Sequence, residues 1–224
     1  MRGASNPQAS KPVATDTRKD PILSLSIPTP IGRIYLAASE RGLVRIELPG
    51  PNAELRMNVW VALHFPFASI RCGVSPILRK ATSQLEAYFT AGLTEFSLPL
   101  HFAGTPFQLD VWNEIARIPF AETRSYRDVA EAIDKPRAMR AVGAAQRANP
   151  FPIVVPCHRV IGSDGTLTGY VGGLETKQWL LEHEADLADL TSAHSQRPAH
   201  GARETHGKSR SGRPASRKPT RPRP

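Results

Sequence analysis

The hydrophobic pattern of the chain changes character about halfway along, and the change divides it into two folded parts. Between residues 22 and 48 short apolar runs (ILSLSI, RIYLAA, LVRIEL) alternate with Gly-containing turns (TPIG, SERG). Such alternation predicts an antiparallel meander, because a strand sends successive side chains to opposite faces. Residues 50–74 show no clean period and stay unassigned. Ser75 and Pro76 then mark a helix start, with Ile77, Leu78, Ala81, Leu85, Tyr88 and Phe89 at helical spacing until Gly92. Ser supplies a capping oxygen, Pro gives up no needed donor in the first turn, and Gly accepts the left-handed conformation that ends a helix. A short strand is expected at FSLPL, residues 96–100.

From Thr105 the pattern predicts helix after helix. Thr105 and Pro106 open one with Phe107, Val111, Trp112 and Ile115 on its apolar face; Ser125 and Asp128, spaced as a capping box, open a second. Pro136 is expected to open a third, running through RAMRAVGAAQRA to the stop signal Asn149-Pro150. Two short helices joined at Asp134-Lys135-Pro136 have the form of a helix-turn-helix. The third helix is rich in small residues (Ala138, Ala141, Gly143, Ala144, Ala145), which allow close approach either of another helix or of a nucleic-acid groove.

Composition narrows the function less than it first promises. The net charge of +9 suggests a nucleic-acid partner, but residues 191–224 carry +8 of it, nine Lys and Arg against Glu204. That Pro-, Ser- and Arg-rich tail is expected to be disordered, like residues 1–20, and either adds salt-sensitive attraction to phosphates or only solubilises. The rest is nearly neutral, so its partner must be argued from motifs. There is no apolar stretch long enough to span a membrane and no secretory leader, which points to a cytoplasmic protein. Two cysteines, Cys72 and Cys157, make neither a disulfide framework nor a zinc site, and no metal is expected.

Cys157 stands in FPIVVPCHRVIGSDGTLTGYVGG. An extended run, Ile153–Val155, leads into Pro156-Cys157-His158-Arg159-Val160, then a turn at Ser163-Asp164-Gly165 and a Gly-rich loop. A lone Cys in an apolar run is usually an inert core residue. Here His158 and Arg159 follow it, a setting that can hold a thiol beside a base and positive charge and lower its pKa from about 8.5.

Pro156-Cys157-His158-Arg159-Val160 resembles the active-site motif of the O6-alkylguanine-DNA alkyltransferases. The resemblance runs from Thr105 to Glu184 through TPFQLDVW, SYRDVA, RAMRAVGAAQRANP, IVVPCHRV, GYVGG and KQWLLEHE, in family order. It implies an α+β protein: a small N-terminal antiparallel sheet with a helix, ribonuclease H-like, over residues 21–100, then a helical domain over 101–190 with a winged helix-turn-helix-like motif. It implies stoichiometric, cofactor-free transfer of the alkyl group from O6-alkylguanine, and from O4-alkylthymine, in double-stranded DNA to Cys157 of a monomer, after the nucleotide is flipped out.

The resemblance also assigns roles. Cys157 is the acceptor, His158 the base acting through a bridging water, Glu184 the carboxylate orienting the imidazole, and Asn149 the tie between active-site loops. Tyr126 presses on the neighbouring phosphate and donates to guanine N3. Arg140 fills the space of the extruded guanine, with Ala138, Ala141 and Ala145 against the minor groove. Pro152, Tyr170, Val171 and Gly172 wall the base pocket; Val171 stands where some relatives have a small hydroxyl residue. Arg159 is assigned a structural ion pair, and Cys72 no role. Two competing readings are a DNA-binding regulator or damage sensor without chemistry, against which the presence of Cys157 counts, and a Cys-His hydrolase, for which no oxyanion architecture is recognisable.

Overall fold

The computed structural model describes residues 21–195, so the expected leader and the basic chain beyond Ser195 lie outside the described residues. Strands β1 (Ile22–Thr29), β2 (Gly32–Ser39) and β3 (Gly42–Glu47) form the expected meander. The unassigned segment folds into helix α1 (Ala53–His64) and a three-residue strand β4 (Ile70–Cys72) that pairs parallel with β1. The sheet, ordered β3-β2-β1-β4, is therefore mixed and not purely antiparallel. Helix α1 shows no period because its apolar residues lie on two faces. Met57 and Val61 pack under the sheet with Ile22, Ala37 and Val44, while Leu55, Val59 and Leu63 are exposed.

Helix α2 (Pro76–Ala91) covers the other face of the sheet; Ser75 accepts from Leu78 N, and Gly92 closes it at φ 66°. The expected strand at FSLPL does not form. Only an isolated bridge, Leu43 to Leu100, is made there, and the Leu43 and His101 amides stitch the segment to the outer edge of β3. Pro99 has no amide to donate to a ladder.

The second half holds α3 (Pro106–Ile115), α4 (Tyr126–Ala132), α5 (Met139–Arg147) and α6 (Leu174–Ser195). Thr105 and Ser125 each make a full capping box, as their spacing predicts. Helix α5 starts later than expected: Ala138 is its cap, and Pro136 belongs to the corner, where Asp134 turns through φ 58°. Helix α6 covers residues 191–195, which the sequence assigns to the tail. Strands β5 (Arg124–Ser125) and β6 (Val160–Ile161) pair in parallel and tie the start of the helix-turn-helix to the segment after Cys157. One core joins both halves, with Leu36, Leu78 and Leu85 in the same cluster as Trp112, Phe151, Val155 and Leu180. No helix among the described residues is long and apolar enough to cross a membrane.

Candidate active site and helical surface

The chain entering the site is folded more tightly than the sequence suggests. Residues 153–155 are not extended: Ile153 sits at φ 75°, and Val155 N bonds back to Phe151 O at 2.8 Å. A β-branched residue there is strained, at a cost of about 1–3 kcal/mol, and needs its surroundings to hold it. Cys157 then opens a 3-10 turn, Cys157–Arg159. The turn lets Cys157 and His158 project at about 120° to each other, whereas on a strand they would face opposite ways.

Asn149 organises this turn. Its Nδ2 donates to Val155 O at 2.8 Å and to Cys157 Sγ at 3.2 Å, and its Oδ1 accepts from Phe151 N at 2.9 Å. The direct contact with the thiol was not legible in the sequence. Pro150 O accepts from Ile46 N at 2.8 Å, so the edge of the N-terminal sheet braces the same loop.

Glu184 is fully buried on α6 and gathers the surrounding donors. Its Oε1 accepts from His158 Nε2 (2.8 Å), Tyr88 OH (2.8 Å) and Arg159 Nη2 (2.9 Å); its Oε2 accepts from Arg159 Nε (2.9 Å) and Ala121 N (3.0 Å). Burial alone would push the Glu184 carboxyl up, but the His158 and Arg159 hydrogen bonds and the Arg159 charge hold it well below the usual carboxylate range. It is ionised and can only accept, so Nε2 of His158 carries the hydrogen and Nδ1 is left as a base. That Nδ1 is buried, and no side chain or backbone group among the described residues bonds to it. Burial keeps His158 below its ordinary pKa despite Glu184, so the imidazole is neutral.

Burial pushes the Cys157 thiol up to about 11, against the pull of Asn149 and Lys177. This reverses the expected lowering: His158 and Arg159 spend their bonds on Glu184, and desolvation of the sulfur wins. The thiolate fraction at pH 7 is then about one in ten thousand, so a reaction at this sulfur needs a base.

Removing the carboxylate tests the cluster. Glu184→Gln leaves Arg159 buried without its counter-charge and should cost about 3–5 kcal/mol of stability, besides slowing chemistry at Cys157. Because the folded pKa of Glu184 is depressed, its contribution is present above about pH 4 and is lost as pH falls below that value. Thermal melts from pH 3 to 7 should show a wild-type acid loss that is smaller in the variant; parallel curves would refute this account.

Lys177 is a functional candidate that the sequence reading missed. It is fully buried; its Nζ donates to Val160 O at 2.6 Å and Thr168 O at 2.8 Å, and burial lowers its pKa to about 8 against the opposing effect of Cys157. A signal was available. Lys177, Leu180 and Glu184 lie at i, i+3 and i+7, one helical stripe, so both charges share the face of a core leucine.

The remaining candidates fall into two groups. Pro152 is buried and Tyr170 half-buried beside His158, the Tyr170 and His158 rings edge-on at 6.4 Å; the Tyr170 hydroxyl is buried, with no hydrogen-bond partner among the described residues. Gly172 lies so close to Leu48 and Tyr170 that a Cβ would come within 2.7 Å of Leu48 Cδ1, and Val171 is 47% exposed at the rim. On the other side, α5 presents Arg140, Ala141, Ala144 and Arg147 outward. Ala145 does not belong to that surface: it is 2% exposed in the core, and its carbonyl accepts from Trp112 Nε1. Ala144 takes its place, and Ala138 is the half-buried cap. Tyr126 opens α4 beside Gly143 of α5, its hydroxyl 3.4 Å from Thr168 O.

A buried thiol followed by a neutral imidazole that is bonded to an ionised carboxylate thus lies in the same half of the molecule as a helix-turn-helix with an Arg- and Ala-lined outer face. Comparison with known proteins specifies the class. Residues 22–102 match the ribonuclease-like domain, and residues 106–186 the DNA binding domain, of 6-O-methylguanine DNA methyltransferase. The methylated-DNA–protein-cysteine methyltransferase of Methanosarcina barkeri is 43% identical over 159 residues, covering 70% of this chain and 94% of that protein. The constitutive protein of the same name from Bacillus subtilis is 42% identical over 157 residues, covering 70% and 91%. The crystal structure of Mycobacterium tuberculosis OGT in complex with DNA is 40% identical, with a TM-score of 0.63, and covers 75% of this chain and 98% of that one. The chain belongs to the 6-O-methylguanine DNA methyltransferase family.

Proposed function

We propose that the protein repairs DNA by direct reversal, taking the alkyl group of O6-alkylguanine in double-stranded DNA onto Cys157 once per molecule. It acts as a methylated-DNA–protein-cysteine methyltransferase, as a monomer in the cytoplasm and without a cofactor. The observation that carries the reading is that His158 Nε2 is tied to the ionised Glu184 at 2.8 Å, which leaves Nδ1 as a base in the turn that holds Cys157.

In the reaction, the thiol proton passes through a water to His158 Nδ1 as sulfur attacks the alkyl carbon. The carbon–O6 bond breaks as the sulfur–carbon bond forms; its electron pair stays on guanine, and the proton returns to guanine from the imidazolium. The products are guanine and a thioether, which nothing in the site can cleave. In this reading the Tyr126 hydroxyl and backbone amides donate to the bound base and stabilise charge developing on guanine. The target lies inside a stacked duplex, so the nucleotide must first be extruded, with α5 in the minor groove and the base against Pro152, Tyr170 and Gly172. Val171 at the rim bears on which alkyl groups enter.

Intact-mass spectrometry after incubation with O6-methylguanine duplex tests the reading. One added methyl group, mapped to Cys157, supports it; unchanged mass with retained DNA binding favours a damage sensor.

The basic tail gives a separate expectation. Removing residues 196–224, which hold nine Lys and Arg against Glu204, should weaken non-specific DNA association and flatten its dependence on salt. The reaction with free O6-benzylguanine should not change, since the site lies within residues 88–184. An unaltered salt slope on titration would show that the tail does not touch DNA.

A further inference from the structure

One side chain of the N-terminal half reaches the reactive cluster. Tyr88 of α2 is fully buried; its hydroxyl lies 2.8 Å from Glu184 Oε1, and its carbonyl accepts from His183 Nε2 at 3.1 Å. Phe96 and Phe120 pack on its ring, with centroids at 5.6 and 6.3 Å. Burial and the Glu184 charge push the phenol pKa far up, so the hydroxyl is a permanent donor.

Glu184 Oε1 thus serves three donors, from Tyr88, His158 and Arg159, although a carboxylate oxygen offers about two lone-pair directions. The three compete. A carboxylate raises the basicity of an imidazole in proportion to the hydrogen bond it accepts, so a donor that takes part of Oε1 lowers that basicity. The titratable and charged groups around the triad are Arg159 from its own turn, Lys177 and His183 from α6, Tyr170 from the loop before α6, and Tyr88 from α2. Among these, Tyr88 is the neutral group that donates to the same oxygen as His158.

Resting on the reading of Cys157 as the alkyl acceptor, we propose that Tyr88 is a positioning residue: by sharing Glu184 Oε1 with His158 it restrains the basicity of Nδ1 and so keeps Cys157 in its thiol form when no substrate is bound. The benefit is specific to a protein used once per molecule. A thiolate exposed to any stray electrophile would be spent, whereas a thiol waits for a substrate held in line.

The test is Tyr88→Phe, which removes one oxygen and leaves Glu184 with four donors. Full-length protein is treated with iodoacetamide between pH 6 and 10, and alkylation is read at the Cys157 peptide by mass spectrometry, apart from the exposed Cys72. A stronger His158–Glu184 bond should shift the rate profile about one unit toward lower pH. At pH 8 this means roughly threefold faster alkylation: about tenfold more thiolate, offset about threefold by its lower nucleophilicity. Replacing Tyr88 with 3,5-difluorotyrosine, a stronger donor of nearly the same shape, should move the profile the other way, and it stands in if the Phe variant does not fold. A purely structural role predicts loss of stability without movement of the profile. Superimposed profiles, no reaction in either protein, or a shift of the Phe variant to higher pH would overturn the proposal. Because iodoacetamide needs no recognition of guanine, this outcome is independent of the methyl-adduct experiment, whose failure would remove the alkyl-acceptor reading itself.

Discussion

Replacing Cys157 by Ala or Ser should abolish alkyl transfer and leave DNA association intact. Cys157 is 3% exposed and its sulfur is held by Asn149, whereas the outward face of α5 is made by other residues, so the substitution removes the acceptor without altering the proposed contact surface. Ser keeps a partner for Asn149 Nδ2, now at oxygen, and should be the milder change for folding. Its hydroxyl, with a far higher pKa than a thiol, is a far weaker nucleophile toward an alkyl carbon. Cys72 supplies an internal control, being an exposed thiol on β4 outside the His158–Glu184 cluster. Peptide mapping after reaction with O6-methylguanine DNA should find no methyl on either position in the Cys157 variants, with gel-shift affinity within about twofold of wild type, a change of roughly 0.4 kcal/mol. Methylation of Cys72 to the wild-type extent would end the assignment of Cys157.

The features legible in the sequence were those set by local chemistry. Ser75, Thr105 and Ser125 each cap a helix because the oxygen and the amide it serves lie three residues apart. The meander followed from alternation, and the Pro156–Val160 motif carried the family. Tertiary packing decided the rest. The apolar residues of α1 lie on both its buried and exposed faces, so no period marks it, and three residues of β4 become a strand only because β1 offers a parallel edge. Ala141, Ala144 and Ala145 look equivalent along the chain; the phase of α5 against Trp112 sends one into the core and leaves two outside. The site shows the same limit. Without a family, Glu184 reads as a solvated helix residue, and its partner Tyr88 lies 96 residues away, beyond any local pattern. The protonation of Cys157 could not be read at all, since it depends on where His158 and Arg159 point.

Arg140→Ala should slow repair of duplex DNA and leave attack on a free base analogue nearly intact. Arg140 is the second residue of α5 and exposed, at the start of the Ala141–Ala144 stripe, so it contributes nothing visible to the core. Small residues beside Arg140 form a surface that can approach the duplex closely and send that side chain into it. If that side chain occupies the gap left by the extruded guanine, its loss should cost about one to three kcal/mol, the scale of unstacking and unpairing a nucleotide, or roughly five- to 150-fold in rate. A mismatch opposite the lesion weakens the pair that must be broken, and should recover part of that loss. An arginine that only attracts phosphates predicts something else: weaker binding that worsens with salt and ignores the mismatch. Single-turnover rates for free O6-benzylguanine, matched duplex and mismatched duplex separate the two. The loss should be largest for the matched duplex, smaller for the mismatched one and near zero for the free base. Equal losses on all three would show that Arg140 supports the active site itself and does not replace the flipped guanine.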